Sequence, residues 1–105
     1  FPSTGDASTR ATINCQKPTT IEFRMEYRVK AASPTTHFEC RIGNYFHSGS
    51  GRGKKDFTLT LPQGKTNVSL DLFNIYPESM VELYIVKVTA EGSQVGSPNF
   101  LEVAF

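Results

Sequence analysis

Thr20-Ile21-Glu22-Phe23-Arg24-Met25-Glu26-Tyr27-Arg28-Val29-Lys30 alternates apolar and polar side chains without a break. A period of two belongs to a strand with one buried face, because successive Cβ atoms of an extended chain point to opposite sides. Working outward, the same period recurs at Phe38, Cys40 and Ile42, at Phe57, Leu59 and Leu61, and at Val68, Leu70 and Leu72. Val81 to Ala90 is almost continuously apolar, the pattern expected of a strand in the middle of its sheet. Ala11 to Cys15 and Phe100 to Phe105 open and close the series. Between these segments Pro18, Ala31 to Pro34, Gly43 to Lys55, Pro62-Gln63-Gly64, Tyr76 to Ser79 and Glu91 to Pro98 carry turn chemistry. About seven short strands, and no long segment with a helical period, predict an all-β, two-sheet antiparallel sandwich of the immunoglobulin-like kind, with a small barrel as the alternative.

Composition agrees and removes several function classes. The 105 residues fit a single domain, residues 1–105, with a thin core. Val, Ile, Leu and Phe make up about a quarter of the chain, above the roughly 20% below which disorder is expected. Eleven basic and ten acidic side chains leave a net charge of +1, so the field that would steer the chain to nucleic acid is missing. Apolar runs such as Leu83-Tyr84-Ile85-Val86 fall far short of the roughly 20 residues needed to cross a bilayer, so neither nucleic acid nor membrane insertion is expected. The chain opens on Phe1 without a basic-then-apolar leader, which predicts either a processed mature protein or a domain excised from a longer one.

Cys15 shares apolar parity with Ile13, and Cys40 with Phe38 and Ile42. Both are expected to point inward from facing or neighbouring strands, and a disulfide between them is expected, with two buried free thiols as the alternative. Closing the loop from 15 to 40 would contribute roughly 3.5 kcal/mol and imply an oxidising compartment. Asn67-Val68-Ser69 is an N-glycosylation acceptor whose Asn lies on the polar parity of its strand, hence exposed.

The most unusual stretch is Gly43 to Asp56, with four of the eight glycines, two aromatics, a histidine and three basic side chains. A phosphate-binding loop is excluded: Ser48 stands where the first glycine belongs, Lys55 replaces Ser or Thr, and no helix follows. One reading is a mobile hairpin tip that presents Arg52, Lys54 and Lys55 to an acidic protein or sulfated glycan, with Tyr45 and Phe46 as anchors at its base. The other, preferred, is a solvated loop whose aromatics pack on the sheet edge. His37 and Cys40 lie three apart on a strand and so face opposite sides, which defeats a zinc pair or a Cys-His nucleophile. Glu22 and Glu26 share a face with Arg24 and Arg28, a solvated charge ladder rather than an acid-base pair. No catalytic residue, metal or cofactor is expected.

Tyr84 to Ser93 reads Y-x-V-x-V-x-A-x-G-S, which resembles the sixth strand and following turn of fibronectin type III domains. Ile75-Tyr76-Pro77 is similar to the apolar-x-Pro corner that precedes it. The resemblance implies that Tyr84 is the corner tyrosine, its hydroxyl bonded back to the backbone, with Asn67 to Phe73 and Phe100 to Phe105 as fifth and seventh strands. Two features depart from the family: the chain has no Trp, leaving Phe23 or Met25 to fill that volume, and the Pro77-to-Tyr84 spacing is longer. The family serves mainly in adhesion and receptor ectodomains. The resemblance therefore implies a non-enzymatic, secreted or extracellular binding module whose partner is a protein. The alternative is a small secreted lectin or immunomodulatory protein in which Tyr45, Phe46, Tyr76 and the basic stretch around His47 to Lys55 contact a glycan.

Overall fold

A computed structural model of the chain describes residues 5–30, 33–90 and 101–104. The strands are β1 (Gly5–Cys15), β2 (Thr19–Val29), β3 (His37–Ile42), β4 (Tyr45–Gly49), β5 (Gly51–Leu61), β6 (Gly64–Ile75), β7 (Met80–Ala90) and β8 (Leu101–Ala104). They form two antiparallel sheets, ordered β4-β3-β6-β1-β8 and β5-β2-β7. The two-sheet sandwich is as the alternation predicts. Ala31 and Ala32 of the expected turn from Ala31 to Pro34, the expected turn from Glu91 to Pro98, and the end residues Phe100 and Phe105 lie outside the described residues.

The connectivity is that of one long hairpin folded over. β3 pairs with β4, β2 with β5 and β1 with β6; β3 then also lies beside β6, and β7 and β8 join β2 and β1. The chain crosses between sheets at every connection except β3 to β4. In the immunoglobulin order, A-B-E-D on C-F-G, same-sheet neighbours in sequence are common.

The core follows the parity read from sequence. Ile13, Ile21, Phe23, Met25, Phe38 and Ile42 are at most 2% exposed, and Phe23 stacks on Phe57 with centroids 5.2 Å apart.

Four expectations are corrected. The first strand begins at Gly5 rather than Ala11. The Gly43 to Lys55 stretch is not a loop: Gly43, with a φ of 58°, and Asn44 make a two-residue turn, and β4 and β5 follow. Its glycines are there for space and direction. The ring of Phe38 lies 3.1 Å from where a Cβ on Gly49 would stand, and the Tyr27 hydroxyl 2.7 Å from one on Gly53. Between them Gly51, at a φ of 80°, lets the chain bend from one sheet into the other.

The third correction concerns the cysteines, which are both buried and both free. Parity places them inward, as expected, but in the same sheet. Cys15 on β1 lies opposite Gly64 of β6, and Cys40 on β3 lies opposite Leu70 on the other side of β6. Six residues along β6 separate those levels by roughly 20 Å, whereas a disulfide needs Cα atoms about 4.4–6.8 Å apart. The inference to an oxidising compartment falls with the bridge.

The fourth is the place of β7. Its nearly continuous apolar run suits a central strand, yet among the described residues it lies at the edge of its sheet, paired with β2 alone. A bulge opposite Glu22 and Phe23 leaves Val86 as the extra residue on β7.

Candidate functional site

The seven residues expected to form a binding loop do not converge. Tyr45 packs inward, its ring stacked on Phe57 at 4.5 Å. Its hydroxyl is buried without a hydrogen-bond partner among the described residues, and burial raises its pKa. His47 lies against Phe38 at 5.8 Å, its pKa lowered by burial and then by Lys55. Phe46 is exposed, with the Arg41 guanidinium 4.5 Å above its ring. Tyr76, in the turn between β6 and β7, sits under the Lys30 ammonium at 5.3 Å, and Glu78 holds that ammonium at 2.9 Å. Arg52 lies opposite Arg28 and Lys54 opposite Glu26, on the outer face of the smaller sheet. Lys55 is on the inward parity of β5 yet exposed.

The outer faces carry satisfied charge pairs. Arg24 donates to Asp56 of β5 at 2.9 Å, a cross-strand pair rather than the ladder of Glu22, Arg24, Glu26 and Arg28 expected along β2. On the larger sheet Arg10 donates to Asp71 at 2.7 Å, and Ser8 to the same carboxylate at 2.8 Å. Glu39 accepts from Arg41 at 3.3 Å and lies 3.0 Å from His37 Nε2. His37 and Cys40 face opposite sides, as read from sequence. A shallow groove of about 570 Å³, lined by Arg10, Arg41, Asn67 and Ser69 among others, runs over this face, and Asn67 is exposed beside it.

The two ends of the smaller sheet differ sharply. The β5 edge carries Arg52, Lys54 and Lys55, all exposed, and an inward-parity Lys on an edge strand is a common device against unwanted pairing. The β7 edge carries Tyr84, Ile85 and Val86, exposed by 40%, 39% and 50%. Tyr84 donates its hydroxyl to Glu82 at 2.7 Å, a side-chain bond to its own strand rather than the backbone bond of a corner tyrosine. Along the same flank an apolar cleft of about 280 Å³, lined by Ile13, Phe23, Leu83, Ile85 and Val103, opens between the sheets. Among the described residues no strand pairs with the outward side of β7.

Sequence reasoning missed this edge, although its signal was present. A strand with the composition of a central strand, standing at a sheet edge, lacks one neighbour. Protein-family models, curated proteins and solved structures were all compared with the chain, and none matches it.

Proposed function

We propose that this domain is a non-enzymatic binding module that recognises another protein by adding a strand of that protein to the edge of β7. The supporting observation is the pairing of a continuous apolar sequence with an edge position that carries no protective charge at Tyr84 to Val86. Strand addition takes affinity from main-chain hydrogen bonds and specificity from side chains on alternate positions. Covering the exposed parts of Tyr84, Ile85 and Val86 removes on the order of 200 Å² from water, about 5 kcal/mol at ~25 cal/mol/Å² before association entropy. The ladder bonds add roughly 0.5–1.5 kcal/mol each. A glycan reading has weaker support, because the aromatics proposed for it are buried, covered by a cation or separated. Glycosylation of Asn67, on the other sheet, leaves the β7 edge open.

The test displays the domain against arrays of extracellular proteins and of defined glycans. The expected result is a protein ligand whose binding is lost in Val86→Lys and kept in Phe46→Ala. Glycan binding that Val86→Lys leaves intact contradicts the proposal.

A further inference from the structure

We infer that the strand added to β7 is β7 of a second copy of this chain, joined antiparallel about a two-fold axis through Tyr84. The inference rests on reading β7 as a docking edge, and it goes further by fixing partner and register. A two-fold axis perpendicular to a sheet sets residues of one face opposite residues of the same face. Because Val86 is the extra residue of the bulge, Glu82, Tyr84 and Lys87 share the outer face, opposite Glu26, Arg24 and Glu22 of β2. Leu83 and Ile85 lie on the other face, opposite Met25 and Phe23.

Setting Tyr84 against Tyr84 of the second copy brings Glu82 opposite Lys87 of the second copy, and Lys87 opposite Glu82. Leu83 then meets Ile85, and Val86 fills the space at the bulge. Neighbouring registers on the same face lose this match. Centring on Leu83 leaves Lys87 against Met80, centring on Ile85 leaves Glu82 against Thr89, and centring on Glu82 or Lys87 opposes like charges. Opposite charges in register are favourable cross-strand pairs and like charges unfavourable ones. The assembly also closes. Two smaller sheets joined at β7 form a six-stranded sheet whose ends are both β5, the edge guarded by Arg52, Lys54 and Lys55, so growth stops at two copies.

Sedimentation velocity on the intact chain, over ~1 to ~500 µM, tests this. The wild type is expected to show a reversible monomer-dimer equilibrium. E82K and K87E alone each turn two attractive pairs into two repulsive ones and weaken the dimer by about tenfold or more. The double variant E82K/K87E restores the opposed charges and recovers the dimer, which a merely structural effect of either substitution would not do. Circular dichroism melts confirm that each variant is folded. A chain that stays monomeric throughout, a dimer indifferent to the single reversals, or a double variant that fails to recover overturns the inference. If the chain is monomeric while Val86→Lys still abolishes capture of a protein found on the array, the second copy is excluded and the docking edge stands. A dimer insensitive to both the charge reversals and Val86→Lys removes both.

Discussion

Gly53→Ala distinguishes a strand corner from a mobile loop by the sign of its effect on stability. In a flexible loop, replacing glycine with alanine restricts the unfolded chain and is worth roughly 0.4–1 kcal/mol in favour of folding when the backbone tolerates it. In the structure a Cβ at position 53 would stand 2.7 Å from the Tyr27 hydroxyl oxygen and 2.9 Å from Cζ. The Tyr27 ring cannot yield freely, because it packs on Phe38 with centroids 4.7 Å apart, and Phe38 is fully buried. Overpacking of this kind costs about 1–3 kcal/mol. For a domain of this size the melting temperature should fall by about 4–12 °C, at roughly 4 °C per kcal/mol. Gly49→Ala meets the Phe38 ring at 3.1 and 3.3 Å, a gentler approach, and should cost less. Tyr27→Phe in the Gly53→Ala background removes the closest atom and should recover part of the loss. Thermal melts followed by circular dichroism read all three, and a rise in melting temperature for Gly53→Ala refutes the strand corner.

Four more expectations follow from buried and titrating groups. Both thiols should alkylate only after denaturation, and intact mass should be the same with and without reductant; a mass lower by two hydrogens before reduction contradicts the roughly 20 Å separation. Burial raises the Cys40 thiol from 9.0 to about 11, so the folded chain keeps a proton that the unfolded chain releases. The stability this contributes is present below pH 9 and falls by about 2–3 kcal/mol as pH rises to 11; urea midpoints should drop over that window, and less so in Cys40→Ala. His37 Nδ1 lies 2.7 Å from the Thr35 carbonyl oxygen, with Glu39 on its other nitrogen. Both partners are acceptors, so the doubly protonated ring is favoured, and its pKa is raised, chiefly by Thr35 and then Glu39. NMR titration should place His37 above His47, with the contribution of His37 to stability present at acid pH and fading as pH rises through its folded pKa. The opposite order contradicts the geometry. Tyr45→Phe should be neutral or stabilising by up to about 1 kcal/mol, since it removes a buried hydroxyl without a partner; a clear loss in a urea melt would mean the hydroxyl is bonded.

Much of the fold was legible because side-chain parity is a local property. The alternation in β2 named its buried face residue by residue, and the same rule found the inward sides of β3, β5 and β6. Parity says which way a side chain points but not how far along the sheet it stands, which is why Cys15 and Cys40 read as a pair. The glycines of β4 and β5 read as a loop because their reason lies elsewhere in the chain, in the rings of Phe38 and Tyr27. The run from Val81 to Ala90 reads as a strand in the middle of its sheet, and the structure corrects that position to an edge. Among the described residues only the strand order shows that β7 has one neighbour, and the proposed docking edge lies in that difference.

The most direct measurement is amide hydrogen exchange by NMR, taken at a series of protein concentrations, on β7 and β5 together. The account predicts that alternate β7 amides, those pointing away from β2, exchange quickly in dilute solution and become protected as concentration rises. Those on the outward side of β5 should stay unprotected. Outward β7 amides protected even at the lowest concentration, or protection that appears on β5 instead, would contradict it.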